Sequence, residues 1–469
     1  MARICKTLAT YREIVQGRGI SEIEETASRE KLLGIVQLFE GIGDTRCSGM
    51  ICYPLSEILV ICFLAVLANA DTWVEIENFG KAKEGWLKTF LPLRHGVASH
   101  DTFQRVLGMV DRQELQKVTV EYLESVMDRI ADTLAASKAD EEAEGEDEEE
   151  KKEYRHLSMD GKGERGSGRK EDTDEEIPNI QTLHIYDCSN GICLESEPID
   201  SKTNEMPIGQ SLLKLMNLKD CVVTADALHA QKVTCKTILE QGGNYVLGLK
   251  GNHSALLEEA AACFTEEELQ KARKSKDKKV PFYAEESDKA RSQTEKRRYY
   301  MGKAHHEPRD KDDVWEGLRT YIRVERETEN PATGTKRMEI QHYISSLSDL
   351  RLCASLIRGH WGVENGLHWQ LDYTFRFDEN STMDRIALTN LGLMKKMALT
   401  LLKLFQPLLS GRRSLRVLRK MTAWEPETFI PLIFHSYNPP FCERHQRGYE
   451  TRHDANASKL CYTIHGKVR

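Results

Sequence analysis

The apolar positions in the first third of the chain recur at helical spacing. A continuous apolar run from Ile58 to Ala68 follows Pro54, which predicts a helix that is buried on all sides. The run has 11 residues, whereas a membrane span needs about 20. Thr72 and Ser99 stand as N-caps before two further periodic segments, and a last helix is predicted from Arg112 to about Leu134. Four helices with short links favour a helical bundle over a helix-turn-helix-like DNA reader.

From residue 154 onward the period of the apolar positions changes to that of strands. Five short runs are predicted as strands: HLSMD, TLHIYDC, ICLESEPI, CVVTAD and NYVLGLK. Helical segments precede and follow the fourth run, so the order is β-β-β-α-β-α-β, which predicts an α/β fold with a mixed sheet and flanking helices. Residues 256–341 are heavily charged and become strand-like only at RTYIRVERE and EIQHYISSL, and the pattern is helical again from Asp349.

Composition divides the chain into segments. With 40% hydrophobic and 30% charged residues it is a soluble globular chain. The clearest boundary is the run at residues 140–150, where nine of 11 side chains are carboxylates that cannot form a core. We predict a leader (1–30), a helical N-terminal domain for DNA binding or interaction (31–138), an acidic disordered linker (139–153), the first part of the α/β core (154–255), an insertion subdomain (256–341), core helices (342–405), and a basic C-terminal region and tail (406–469).

The net charge and the cysteines indicate the cellular compartment but do not identify a function. The net charge is −8, but the acidic run alone contributes nine negative charges, so the remainder neither favours nor excludes a DNA partner. Twelve cysteines without a C-x-x-C pair indicate reduced thiols in a cytoplasmic protein. Four tail residues have zinc-like spacing, although a tail without bound metal is the favoured interpretation: Cys442, His445, Cys461 and His465.

Three acidic residues stand where a sheet and a helix could bring them together. Asp160 ends the first predicted strand, Asp226 ends the fourth, and Glu364 lies in a helical segment on one face with His368. A carboxylate at the end of an apolar strand needs a partner, for which a divalent cation is suited. Such a set could hold two Mg²⁺ ions about 4 Å apart for phosphoryl transfer. Taken singly, each acid is more often a turn former or a helix cap.

Longer sequence words around these acids carry more information. They include MDGKGERGS, SKTNEMP, VVTADALHAQKVTCKTILEQGGNYVLGLKGN and RGHWGVENGLHWQLDYTFRFD, and the matching segments are collinear over residues 42–424. In these words the sequence resembles the ISAs-type (H-repeat-associated) insertion-sequence transposases, which belong to the DDE group and have an RNase H-like catalytic fold. The resemblance therefore implies an RNase H-like core that is preceded by the helical domain and interrupted by the insertion.

The resemblance also implies an activity and its partners. Such an enzyme cuts the ends of its own element and joins them to target DNA. Asp160, Asp226 and Glu364 are then the catalytic ligands of two Mg²⁺ ions, with Mn²⁺ as a substitute. The implied partners are double-stranded DNA and further copies of the chain in a synaptic complex. The expected location is the cytoplasm, at the nucleoid, with no membrane contact.

Basic residues near these words are the candidates for DNA contact: Lys162, Arg165, Lys250, Arg358, His360, Arg412, Arg413 and Arg416. The last three belong to a basic stretch with Arg419 that fits a solvated helix face about as well. Trp361 and Trp369 are expected to anchor the glutamate helix in the core, with base stacking as the alternative.

Departures from the family pattern favour an alternative function. The word DGKGERGSG places Glu164 beside a site that must approach phosphate, and the tail after about Phe434 matches no pattern of the family. The alternative is a non-catalytic DNA-binding or regulatory protein derived from a decayed transposase. The three intact acids favour the enzyme.

Overall fold

The structure is a computed structural model, and it describes most of the chain. The described residues are 25–141, 154–170, 176–199, 205–274, 283–290, 293–311, 313–330, 333–406, 409 and 413–435. Most of the predicted leader and acidic linker lies outside these ranges. So do Arg412 and the four tail residues with zinc-like spacing.

The described residues before 142 form helices. These are α1 (Glu25–Glu40), α2 (Leu55–Leu67), α3 (Trp73–Ala82), α4 (Glu84–Leu87), α5 (His100–Leu107) and α6 (Arg112–Glu141). The predicted buried helix and both predicted caps are confirmed: Thr72 forms a capping box with Glu75, and the Ser99 hydroxyl accepts from the Thr102 amide. Helix α6 continues to Glu141 rather than ending near Leu134, because the added segment is rich in helix-forming alanine, lysine and glutamate.

A nine-stranded mixed sheet forms the centre of the molecule. Its strands are β1 (Arg155–Glu164), β4 (Ile180–Asp187), β5 (Ile192–Ile199), β6 (Cys221–Ala225), β7 (Asn244–Leu249), β8 (Tyr283–Ala290), β9 (Gln293–Lys303), β10 (Thr320–Asn330) and β11 (Thr335–Ser345). Their order is β5-β4-β1-β6-β7-β11-β10-β9-β8, while β2 (Arg169–Lys170) and β3 (Glu176–Ile177) form a small ribbon. Strand β6 is parallel to β1 and β7, and all other pairs are antiparallel.

Two crossover helices confirm the predicted element order. Helix α7 (Glu205–Leu215) connects β5 to β6, and α8 (Lys232–Glu240) connects β6 to β7. The charged segment adds α9 (Ser254–Ala262) and α10 (Glu266–Lys274), and its four strands extend the sheet because β11 pairs with β7. The apolar runs predict β10 and β11. They do not predict β8 and β9, because charged residues occupy nearly half of the positions of these two strands and interrupt the apolar pattern.

The last third of the chain is helical, as expected. It comprises α11 (Leu350–His360), a π-helical turn (Glu364–His368), α12 (Trp369–Phe375), α13 (Arg385–Phe405), α14 (Leu415–Trp424) and α15 (Pro426–His435). Helix α13 is buried over nearly all of its length and packs against α2, α5, α6 and β5. One hydrophobic core therefore joins the N-terminal helices to the sheet. None of the described helices is both long and apolar enough to cross a membrane.

The prediction that Arg419 belongs to a solvated or DNA-facing helix surface is wrong. Its side chain is completely buried, and its guanidinium donates to the Val66 carbonyl and to the Asp71 carboxylate. It also donates to the carbonyls of Ala70 and Thr374. The physical reason is that α14 packs across the end of α2, where helix carbonyls require donors. Because Arg419 stands among other basic residues in the sequence, its structural role could not be recognised there.

Candidate active site

Asp160 and Asp226 lie side by side where two parallel strands separate. The last parallel pair between β1 and β6 is Met159 with Ala225, and Asp226 follows directly. The expectation that Asp160 ends the first strand is wrong, because β1 continues to Glu164. Beyond Met159, however, β1 pairs only with β4. Both aspartates therefore stand at the opening between β1 and β6, which is where ligands collect in such sheets.

The glutamate helix crosses this opening. Glu364 begins the π-helical turn, and His368 ends it. The His368 ring places Nδ1 3.7 Å from a carboxylate oxygen of Asp160, and its Nε2 lies 3.2 Å from Nδ1 of the buried His184. A π-turn is uncommon and is often found at functional sites. Here it brings Glu364 into the neighbourhood of the two aspartates.

The electrostatics show that these acids influence one another. Burial, together with the negative charges of Glu364 and Asp226, raises the pKa of Asp160 to about 7, against a hydrogen bond from the Gly161 amide that lowers it. Burial also raises the pKa of Glu364. Closely spaced carboxylates that disfavour each other's charge create a demand for positive charge.

A fourth carboxylate, from Glu205, was missed by the sequence reasoning. Glu205 is the first residue of α7, lies 3.2 Å from Nε2 of His229, and adds to the raised pKa of Asp160. Its carboxylate occupies the space beside Gly161, where an added Cβ would lie 2.7 Å from an oxygen of Glu205. The signal for it was available, since Glu205 lies in the word SKTNEMP.

Behind the acids lies a buried network of hydroxyls and imidazoles. The Thr224 hydroxyl lies 3.0 Å from Nδ1 of His360 and 2.8 Å from Nε2 of His156. The Ser158 hydroxyl lies 3.1 Å from the Thr224 hydroxyl. His360 was predicted to contact DNA, but its ring faces this network instead of open solvent. Burial lowers the pKa of His156 to about 3 and that of His360 to about 4.

Replacing His156 by glutamine is expected to reduce the acid sensitivity of the fold. A histidine that stays neutral in the folded state but titrates near 6.5 in the unfolded chain makes stability fall as the pH decreases below about 6.5. For such a histidine the free energy of unfolding is about 2 kcal/mol lower at pH 5 than at pH 7. The raised pKa of Asp160 acts in the opposite direction, so the variant must be compared with the wild type.

The measurement is urea unfolding of both proteins at pH 7 and pH 5. His156→Gln should lose about 2 kcal/mol less than the wild type over this interval. His305→Gln, on the exposed surface, is the control and should follow the wild type. Equal losses for His156→Gln and the wild type would show that His156 does not resist protonation.

Three of the candidate DNA-contacting residues lie on segments that adjoin the acids. The Lys162 amine pairs with Asp372 at 2.7 Å and is largely buried. Arg165 is exposed and lies 3.8 Å from Asp378, and Lys250 is exposed just after β7. Lys162 therefore neutralises the charge of Asp372, whereas Arg165 and Lys250 face solvent.

The other described candidates contact parts of the chain other than the three candidate acids. The Arg358 guanidinium donates to Glu286 of β8 at 2.9 Å, so it links the glutamate helix to the charged segment. The Arg416 guanidinium lies over the ring of Tyr373, 4.7 Å from its centre. Arg413 precedes α14 and offers its carbonyl to Gln406. The structure thus does not gather all the predicted basic residues at one place.

The expectation that Trp361 and Trp369 are core anchors is wrong. Trp361 is 43% exposed and Trp369 is 51% exposed. The core positions of this helix are taken by Val363, Leu367 and Leu371. Apolar spacing alone did not distinguish the two faces, because both carry large hydrophobic side chains.

The donor chemistry of the site suits a hard divalent cation. Among the described residues, no three acidic, histidine or cysteine side chains converge closely enough to hold one ion by themselves. Mg²⁺ is commonly held by one or two carboxylates, with water and substrate phosphate completing the shell. An open set of mutually repelling carboxylates therefore fits such an ion better than it fits a metal with an all-protein cage.

Two family models match this chain. The family model described as "Transposase DDE domain" matches residues 151–401, and the model described as "DDE_Tnp_1-associated" matches residues 36–123. The first match includes the three candidate acids and Glu205, whereas the second includes most of the N-terminal helices.

Individual relatives extend over most of the chain. A protein named as transposase YncI from Escherichia coli O157:H7 is 28% identical over 77% of this chain and 85% of its own length. A protein named as H repeat-associated transposase YhhI from Escherichia coli K12 is 26% identical over 72% of this chain and 82% of its own. An uncharacterized protein in the dhlA 3' region of Xanthobacter autotrophicus is 31% identical over 58% of this chain and 81% of its own length.

A solved structure, a piggyBac transposase synaptic complex with hairpin DNA, aligns with 90% of this chain and 82% of its own. The sequence identity is 12% and the TM-score 0.36, a likeness too low to carry an argument.

Proposed function

Because the chain belongs to the family of transposases with a DDE domain and is an insertion-sequence transposase, we propose that Asp160, Asp226 and Glu364 are its catalytic carboxylates. Members of this family cleave and join DNA and generally use divalent metal ions. The reaction proposed here is cutting of the element ends followed by their joining to target DNA. In this proposal the strands β5-β4-β1-β6-β7 form an RNase H-like core.

One observation carries this assignment. Asp160 and Asp226 directly follow the last parallel pair of two adjacent strands, and Glu364 arrives from a helix close enough to influence the charge of Asp160. This arrangement supports a common site for acids that are 66 and 138 residues apart in the sequence. A structural cap or turn role for each acid would not require this convergence.

The residues of the chain supply binding and orientation. The carboxylates of Asp160, Asp226 and Glu364 would hold two Mg²⁺ ions, with Mn²⁺ as a substitute. Bound ions of this kind activate the attacking oxygen and stabilise the leaving oxygen of a phosphodiester. Arg165 and Lys250, both exposed, are positioned on adjoining segments to contact DNA phosphates. The carboxylates remain in place while water attacks in the first step and a DNA 3′-hydroxyl attacks in the second.

The partners of this activity are double-stranded DNA at the element ends and at the target. Bringing two ends together requires at least two active sites, so we propose that the chain assembles as a homo-oligomer in the synaptic complex. Arg358, Arg413 and Arg416 stay predicted DNA contacts within that assembly.

Glu364→Gln is expected to abolish strand cleavage, whereas Asp372→Asn should keep measurable activity. Asp372 lies eight residues after Glu364 and is the competing third acid, but Lys162 holds its carboxylate at 2.7 Å. The negative charge of Glu364, in contrast, contributes to the raised pKa of Asp160. The assay is cleavage of a labelled duplex with the element end in Mg²⁺, with circular dichroism to verify folding.

The result that would move the third ligand to Asp372 is the reverse pattern. Activity in Glu364→Gln together with its loss in folded Asp372→Asn would overturn the assignment. Wild-type protein that binds element ends but never cleaves them, in Mg²⁺ or Mn²⁺, would favour the decayed, non-catalytic alternative.

A further inference from the structure

Three large aromatic side chains lie exposed along the helical segment that carries Glu364. Trp361 and Trp369 are followed by Tyr373, which is 48% exposed, and we call these three residues the aromatic stripe. The rings of Trp369 and Tyr373 are stacked, with their centres 4.7 Å apart and their planes 13° from parallel. Exposed aromatic surface is costly in water, so large aromatic side chains grouped on one segment indicate a binding partner.

An arginine lies over each end of the stripe. The Arg416 guanidinium is 4.7 Å from the centre of the Tyr373 ring, and the Arg326 guanidinium is 5.7 Å from the centre of the Trp361 ring. The Arg326 guanidinium forms an ion pair with Glu295 at 3.0 Å, whereas Arg416 is exposed at the start of α14. The stripe thus combines flat apolar rings with an exposed cation, Arg416, at one end.

The stripe runs beside the proposed catalytic acid. The backbone amide of Trp369 donates to the Glu364 carbonyl, which places Trp369 one π-turn after Glu364. On the neighbouring side of the same helix, His368 reaches Asp160 and Asp372 pairs with Lys162. Trp369 therefore lies on the segment that borders the acidic opening.

We propose that the aromatic stripe binds unpaired bases of a DNA strand next to the scissile phosphate, an inference that rests on the proposed function. Bases stack on exposed aromatic rings, and arginines contact the flanking phosphates. Paired bases inside a duplex already stack on each other and cannot offer their faces. The stripe therefore selects DNA that is unpaired at or near the end, and it does so without regard to sequence.

The test is metal-free binding of two duplexes that differ only in a short single-stranded overhang containing 2-aminopurine. Wild-type protein should bind the overhang duplex more tightly than the blunt duplex and quench the 2-aminopurine. Trp369→Leu should weaken overhang binding by about tenfold and leave the probe bright. Trp369→Phe, which keeps a ring, should retain most of the preference. Since Trp369 is exposed, neither variant should alter the fold.

Trp424→Leu is the matched control, because Trp424 is also an exposed tryptophan but lies at the far end of α14. It should bind both duplexes like the wild type. The proposal would be overturned if the wild-type protein bound the two duplexes with equal affinity, or if the 2-aminopurine stayed bright. Both results are expected if another part of the chain covers the stripe. If Asp160→Asn loses cleavage while Trp369→Leu binds like the wild type, only the stripe inference fails. Protein that neither binds nor cleaves DNA would remove both.

Discussion

Replacing Asp160 or Asp226 by asparagine is expected to reduce metal-dependent strand cleavage by about a thousandfold, with binding of the element ends nearly intact. Asparagine keeps the shape of the side chain but removes the charge that a divalent cation requires. Affinity for DNA comes mostly from phosphate contacts at other positions, so it should change little. The measurement is single-turnover cleavage of an end duplex alongside a binding titration at fixed salt.

Asp160→Asn has a second expected consequence that does not depend on activity. Because burial and the charges of Glu364 and Asp226 disfavour a charge at Asp160, neutralising it should raise the melting temperature in the absence of metal. Asp101→Asn, an exposed acid on α5, is the control and should alter neither property. A variant at Asp160 or Asp226 that cleaves at the wild-type rate would remove that residue from the proposed ligand set.

Replacing Arg419 by methionine is expected to lower the free energy of unfolding by about 3–5 kcal/mol. The change leaves the buried Asp71 carboxylate without its main partner and deprives the carbonyls of Val66 and Thr374 of a donor. The buried amine of Lys395, at 3.6 Å from Asp71, compensates only in part. Urea unfolding at pH 7 measures the loss.

Two further variants define the origin of this loss. Arg416→Met, only three positions earlier but exposed, should change stability by less than about 0.5 kcal/mol. Combining Asp71→Asn with Arg419→Met should recover part of the stability, because the uncompensated charge is then gone. If Arg419→Met is as stable as Arg416→Met, the buried contacts of Arg419 contribute nothing measurable.

The element order of the α/β region was predictable because its apolar runs are short and clearly bounded. Runs such as CVVTAD and NYVLGLK can bury their apolar side chains only as central strands, and the structure contains them as β6 and β7. Strand β9 was not predictable, since Lys296, Arg297 and Arg298 obscure its alternation. These charges are accommodated by cross-strand acids such as Glu285 and Glu327, which no local pattern reveals.

The candidate site was only partly accessible from the sequence. The resemblance identified Asp160, Asp226 and Glu364, but the geometry that supports them depends on strand register, which ends the parallel pairing of β1 and β6 just before the two aspartates. Glu205 was missed although it lies in the word SKTNEMP, because its nearness to Asp160 depends on how its helix packs against β1. The exposed position of Trp369 and the buried position of Arg419 depend on how helices far apart in the sequence pack, so local spacing could not predict either.

Helix α13 has a consequence for any attempt to divide the chain. It lies in the second half of the sequence, yet its buried face contacts α2, α5 and α6 from the first half. A single backbone cut between residues 141 and 154 should therefore leave two fragments that stay associated and purify together. Either fragment expressed alone would expose the surface that α13 normally shares with these helices and should aggregate, whereas co-expression of the two should restore a soluble complex.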